Sequence, residues 1–235
     1  MFFPVKHQPS PAQKNVPHTE NETLRQQLAT VQQQYRELEL KNEDLARRLE
    51  ISEKNASTDE LTSIPNRRIT TKDLITDLSD VERNYFDLVV VQIDLDHFKS
   101  INDSFGHEQG DTVLVDFTRA IQQHLRKSDH FGRWGGEEFI LCLPMPPGTS
   151  QKEIEELFSR YQDESASVNR SPNKYRPAPL TISLGAVVIR SGTKNLDFHE
   201  VLRQVDKALY ESKKTRDTFT LNIYQDSSFL LGSKP

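Results

Sequence analysis

The sequence predicts an α/β or α+β fold in which one sheet is packed by helices, preceded by an N-terminal coiled-coil helix. Two observations carry this. Residues 21–57 contain neither glycine nor proline and repeat apolar side chains at alternating spacings of four and three. Beyond them, short apolar runs alternate with helical patterns, the signature of strands and helices layered on one sheet. The balance of the 235 residues agrees, with 34% apolar and 28% charged, which is too polar for a chain that is core from end to end. One domain of catalytic size plus a solvated accessory segment is the expected organisation.

Residues 1–20 hold Pro4, Pro9, Pro11 and Pro17 among polar residues without periodicity and read as a disordered arm. The coiled coil occupies 21–57, with a seam of Leu24, Leu28, Val31, Tyr35, Leu38, Asn42, Leu45, Leu49, Ser52 and Ala56. Taking Leu28, Tyr35, Asn42, Leu49 and Ala56 as the a positions puts the mid-seam polar residue, Asn42, where a buried amide favours a parallel two-stranded register. The catalytic domain then covers 58–225. Within it, strands are expected at 86–95, 139–143, 180–189 and 219–224, and helices at 66–79, 98–126, 150–164 and 197–214. Thr149 or Ser150 caps the third of these helices, Val168 to Pro179 forms a polar loop, and 226–235 is a flexible tail.

Composition also excludes some functions. A net charge of −5 argues against a binder of nucleic-acid polymers or of a membrane surface held by bulk charge, so an anionic ligand must be held by local groups and metal. The lone cysteine, Cys142, has no internal disulfide partner, and no run reaches the roughly 20 apolar residues of a membrane span. A cytoplasmic, reduced protein is expected.

Two constellations carry chemistry. The apolar run from Phe86 ends in Asp94-Leu95-Asp96, and carboxylates at a strand end suit a hard cation such as Mg²⁺. Only one of Asp94 and Asp96 is expected at a given site. The second is Arg133-Trp134-Gly135-Gly136-Glu137-Glu138-Phe139, read as a hairpin whose glycine tip lets a bulky ligand approach the backbone. Its adjacent carboxylates repel, and a divalent cation removes that repulsion. Placed on neighbouring strands, Asp94 and Glu137 could hold metal together, as in phosphoryl and nucleotidyl transfer with two ions roughly 3.5–4 Å apart.

Together with Asp59-Glu60-Leu61-Thr62, Asn102-Asp103-Ser104-Phe105-Gly106-His107, Gly110-Asp111, Thr181-Ile182-Ser183-Leu184-Gly185 and Asp206-Lys207-Ala208-Leu209-Tyr210, these blocks resemble, in order, the GGDEF-domain diguanylate cyclases, in the GGEEF variant. The resemblance implies a palm-like nucleotidyl-cyclase sheet. It implies an enzyme that condenses two GTP into cyclic di-GMP and two pyrophosphates, as a homodimer of half-sites using two Mg²⁺ or Mn²⁺ ions in each. The parallel coiled coil would bring the half-sites together.

By the same resemblance, Asp94, Glu137 and the Leu95 carbonyl bind metal. Glu137 helps deprotonate the attacking 3′-hydroxyl, with Glu138 assisting. Asn102 and Asp111 match the guanine-recognising pair, since an amide and a carboxylate complement the donors and acceptor of that base edge. Phe98 and Lys99 lie near the triphosphate, with Gly135 and Gly136 at the hairpin tip. Lys213 matches the lysine for the terminal phosphates. Arg216 is its companion arginine, displaced by one residue because Lys213-Lys214-Thr215-Arg216-Asp217 lacks the glycine of the usual pattern. Arg126 and Asp129, with five residues between Asp129 and Gly135, match the product-inhibition site. The alternative is a catalytically impaired domain that binds GTP or cyclic di-GMP as a sensor, favoured only by the altered 213–216 segment.

Overall fold

The structure is a computed structural model that describes residues 18–55, 57–168 and 179–225. The N-terminal arm up to residue 17, Ala56 of the seam, residues 169–178 of the polar loop and the tail 226–235 lie outside the described residues. The chain divides into two compact units, Met1–Glu53 and Lys54–Pro235.

Among the described residues the first unit consists of helix α1 (His18–Asn55), which is about 57 Å long at 1.5 Å per residue and whose last two residues fall past the unit boundary. Its seam residues Leu24, Leu28, Val31, Tyr35, Leu38, Leu45 and Leu49 are all between 50 and 66% exposed. That is the apolar stripe a second helix would cover.

The second unit runs α2 (Arg67–Glu82), β1 (Asp87–Leu95), α3 (Phe98–Phe105), α4 (His107–Gln122), β2 (His130–Arg133), β3 (Glu138–Met145), α5 (Gln151–Ser167), β4 (Ile182–Ile189), α6 (Phe198–Ser212) and β5 (Phe219–Ile223). The strands form one sheet in the order β2-β3-β1-β4-β5, antiparallel except for the parallel β4–β5 pair. β1 is central and buried at every position, which explains its near-continuous apolar run.

Period-2 alternation divides the core between the two faces of the sheet. Val89, Val91, Ile93 and Leu95 of β1 join Phe139, Leu141 and Leu143 of β3 under α3, α4 and α5. Leu88, Val90, Ile140 and Cys142 turn the other way, under Leu74 and Leu78 of α2 and Val201 and Val205 of α6. Gly185 on β4 lets α6 close onto the sheet, because a Cβ there would come within 2.0 Å of the Leu209 nitrogen.

Local chemistry fixes the helix ends. Asn66 accepts hydrogen bonds from the Arg68 and Ile69 amides at the start of α2, and Asp197 does so from the Glu200 amide at α6. Ser150 and Glu153 form a reciprocal capping box at α5. The helix expected over 98–126 is instead two. Gly106, at φ 84°, takes a backbone conformation closed to other residues, and it ends α3 and starts α4. Strand β2, the first arm of the expected hairpin, is short; it pairs with β3, and its last residue, Arg133, also forms an isolated parallel bridge with Asn66.

Candidate active site

At the C-terminal end of β1, three segments converge: the β2–β3 hairpin tip, the start of α3 and the end of α6. They enclose a cleft of about 440 Å³ lined by Asp94, Asp96, Phe98, Lys99, Glu137, Lys213 and Arg216, with His97, Ser100 and Asp103 completing the rim. Antiparallel pairing of β1 with β3 sets the acids, since Asp94 stands opposite Glu138 and the Leu95 amide donates to the Glu137 carbonyl. Residues 42 positions or more apart in sequence thus meet at one sheet end.

Asp94 and Asp96 both line the cleft, against the expectation that only one would. Residues two apart share one face of a strand, so alternation itself places the two carboxylates together, and Asp96, in the turn just past Leu95, stays on the side of Asp94. The Asp96 carboxylate is buried and accepts hydrogen bonds from the Ser183 hydroxyl at 2.7 Å and the Asp217 amide at 3.0 Å.

Electrostatics in the cleft are those of a cation-seeking pair. Burial pushes the Asp94 carboxyl above the usual range, the hydrogen bond and charge of Lys213 pull it back, and Glu138 and Asp96 add repulsion. Glu137 is raised by burial and then by the charge of Asp94. Lys213 sits with Nζ 2.7 Å from Asp94 Oδ2. Burial works against its charge, but the contact with Asp94 outweighs it and holds the ammonium above its ordinary pKa.

These residues fit a hard divalent ion. Two carboxylates, both raised by burial and facing one cleft, supply oxygen donors only. Mg²⁺ takes few protein oxygens and leaves the rest of its shell to water and phosphate. Among the described residues no group of three or more His, Cys, Asp or Glu converges as an all-protein cage.

The hairpin tip is held from outside the cleft, by residues to which the sequence reading gave no role. Arg133 Nε donates to the Gly135 carbonyl at 3.2 Å and Nη2 to the Gly136 carbonyl at 2.7 Å. Its Nη1 reaches both oxygens of Asp59. Arg67 lies over the Trp134 ring, 4.5 Å from its centroid. Gly135 and Gly136 line a shallow pocket with these residues rather than the main cleft. A Cβ on Gly136 would meet nothing within 4 Å, whereas one on Gly135 would come within 2.8 Å of Glu138 Oε2.

Glu138, Leu95, Asn102 and Asp111 do not line the cleft. Glu138 does not line it; its Oε1 accepts from Gln92 Nε2 at 3.4 Å. Leu95 is fully buried in the core. Asn102 lies on α3 and Asp111 on α4, neither at the cleft wall. The Asn102 Oδ1 is buried with no hydrogen-bond partner, and Gly110 leaves it room, since a Cβ there would stand 1.9 Å from that oxygen. Phe98 is both a core residue, 6% exposed, and a cleft wall.

Arg126 and Asp129 line a separate cavity of about 510 Å³ together with His124, Arg160 and Tyr161. There the Arg126 amide donates to the Asp129 carboxylate at 2.7 Å, closing the turn between α4 and β2.

Comparison with known proteins agrees with this geometry. Residues 56–218 match the family described as diguanylate cyclase, GGDEF domain. The chain is 35% identical over 166 residues to diguanylate cyclase DgcP of Pseudomonas aeruginosa, covering 71% of this chain and 24% of that protein. It is 34% identical over 168 residues to the probable diguanylate cyclase DgcC of Escherichia coli K12, covering 72% and 43%. The chain thus spans less than half the length of these curated relatives. Among solved structures, the coiled coil and GGDEF domain of DgcB from Caulobacter crescentus, in complex with c-di-GMP, superposes with a TM-score of 0.66 at 25% identity, over 85% of this chain and 99% of that one. The active GGEEF domain of a diguanylate cyclase from Vibrio cholerae gives 0.55 at 28% identity, over 69% and 98%. With a profile match across nearly all of the second unit and the glycine–glutamate hairpin set against the β1 carboxylates, the chain belongs to the GGDEF diguanylate cyclase family.

Proposed function

We propose that the protein is a cytosolic diguanylate cyclase, joining two GTP molecules into cyclic di-GMP with release of two pyrophosphates. The observation that carries this is the cleft itself, a space of about 440 Å³ lined by Asp94 and Glu137 together with Lys213 and Arg216. Anionic groups that need a cation stand beside cationic groups that need an anion, the complement of a metal-bound triphosphate.

In this reading Asp94, Glu137 and the Leu95 carbonyl hold Mg²⁺ or Mn²⁺, two ions per half-site. When bound, the metal neutralises charge building on the reacting phosphate and lowers the pKa of the attacking hydroxyl. The protein's own groups do the rest. Lys213 and Arg216 take the terminal phosphates, with Lys99 at the mouth. Gly136 leaves open room at the hairpin tip. Glu137, whose burial favours holding a proton, accepts it from the 3′-hydroxyl, and Glu138 supports Asp94 and Glu137 from the neighbouring strand position. The unpartnered Asn102 carbonyl and the exposed Asp111 carboxylate on adjacent helices suit the donors on the guanine edge.

One cleft holds one GTP, so synthesis needs a second chain. The exposed α1 seam supports a parallel homodimer as its source. The cavity with Arg126 and Asp129 is the site of product inhibition, its guanidinium and carboxylate complementing phosphate and base of cyclic di-GMP. Incubation of the purified protein with GTP and Mg²⁺, followed by chromatography with mass detection, tests the proposal. Cyclic di-GMP formed with two pyrophosphates per product supports it, and GTP recovered unchanged contradicts it.

A further inference from the structure

The end of α6 presents a conformational problem. Lys213 caps the helix, and three residues later Arg216 and Asp217 both take left-handed backbone, at φ 60° and 47°. Residues with a Cβ rarely occupy that region, and two in succession need support from their surroundings. No glycine stands between 213 and 218 to relieve it.

The support comes from the sheet. The Asp217 amide donates to Asp96 Oδ2 at 3.0 Å, and the other oxygen of Asp96 is fixed by the Ser183 hydroxyl at 2.7 Å. Asp96 is itself anchored, its amide donating to the Thr181 carbonyl at 2.9 Å. On the far side, the Arg216 amide donates to the Ser212 carbonyl, and the Ser212 hydroxyl donates to the Leu184 carbonyl at 2.7 Å. The carboxylate of Asp96 is 4% exposed and satisfied at both oxygens by the chain itself. Its neighbour Asp94, two residues away, faces Lys213 instead.

We propose that Asp96 is a positioning residue: by clamping the Asp217 amide it holds the left-handed turn and so aims the Arg216 guanidinium into the cleft. This rests on the reading that Lys213 and Arg216 receive the substrate's terminal phosphates. A guanidinium fork is sensitive to direction, so a turn that relaxes costs recognition of phosphate without touching the rest of the site. The effect belongs to the triphosphate end. It must therefore separate nucleotides that have that end from those that lack it.

Calorimetric titration of the full chain, in Mg²⁺, with a non-hydrolysable GTP analogue and with GMP tests this. Asp96→Ala should weaken the analogue on the order of tenfold while changing GMP less than about twofold. Asp96→Asn should retain most of the affinity, because its carbonyl still accepts from the Asp217 amide and its amide can donate to Ser183. In an Arg216→Ala background, Asp96→Ala should add nothing further. Ser183→Ala, which loosens the clamp without removing the carboxylate, should give a smaller loss in the same sense and serves if Asp96→Ala does not fold. Equal weakening of both nucleotides, an Asn variant as impaired as the Ala variant, or a full Asp96→Ala effect without Arg216 would overturn the inference. A wild-type chain that binds GMP as tightly as the analogue would overturn the phosphate reading beneath it, and the inference with it. A wild-type preference for the analogue that persists undiminished in Asp96→Ala would overturn the inference alone.

Discussion

Arg133 Nη1 donates to both carboxylate oxygens of Asp59, at 2.9 and 3.1 Å, joining residues 74 positions apart. Asp59 also accepts from the Thr62 amide and hydroxyl. Burial raises its pKa, but these hydrogen bonds and Arg133 outweigh that and hold the carboxyl below its usual range. The same guanidinium grips the carbonyls of Gly135 and Gly136. The segment before α2 therefore sets the position of the hairpin tip that carries Glu137.

Loosening that grip should cost turnover more than stability. Arg133→Ala and Asp59→Ala should each lower kcat about tenfold, and the double variant should be no worse than the poorer single, because both remove one interaction. Initial rates with GTP measure this. Fully additive losses would show that the two residues act separately.

The glycines separate fold from site. Gly185→Ala drives a Cβ into the Leu209 backbone and should destabilise the domain by about 3 kcal/mol, read by denaturant unfolding. Gly136→Ala meets nothing within 4 Å and should leave stability within about 0.5 kcal/mol while weakening GTP binding, because the room there is kept for ligand. Unchanged GTP affinity in Gly136→Ala would remove the ligand from the hairpin tip.

Asp77 gives a pH signature. Burial on the inner face of α2 is the main cause of its rise to about 6, with His130 opposing and Asp73 and Asp80 adding to it. An acid whose pKa is higher folded than unfolded stabilises the fold while protonated, so this contribution is present below about pH 4 and lost as pH rises through about 6. The stability of the wild type relative to Asp77→Asn should therefore fall by about 1–3 kcal/mol between those values and stay level on either side. Chemical denaturation across the range measures it, and a flat difference would contradict the assignment.

In the proposed reading, regulation is separable from synthesis in space. Arg126 lines a cavity distinct from the cleft. Arg126→Ala should relieve inhibition by added cyclic di-GMP without lowering the initial rate. Inhibition that persists unchanged would place the regulatory site elsewhere.

Much of this architecture was legible because its signals are local. The heptad of α1, the apolar run of β1 and the Ser150–Glu153 capping box each lie within a few turns of chain. The pairing that brings Asp94 to Glu137 followed from two motifs and a resemblance. What escaped depended on contacts between distant segments or on one residue's backbone. Gly106 divides a helix that periodicity runs together, since the apolar spacing continues through it. Asp96 joins Asp94 in the cleft because residues two apart share one face of a strand, so alternation brings the pair together rather than separating it. The Asp59–Arg133 link had no sequence signal beyond two opposite charges. Asn102 and Asp111, adjacent by motif, lie on two helices away from the cleft wall.

The central claim is that Glu137, paired with Asp94 at the end of β1, makes this cleft a cyclase. The most direct measurement compares wild type with Glu137→Ala in GTP and Mg²⁺, quantifying cyclic di-GMP by mass detection and oligomeric state by light scattering. The expected result is product from the wild type only, with both proteins dimeric. Cyclic di-GMP from Glu137→Ala at the wild-type rate would contradict it.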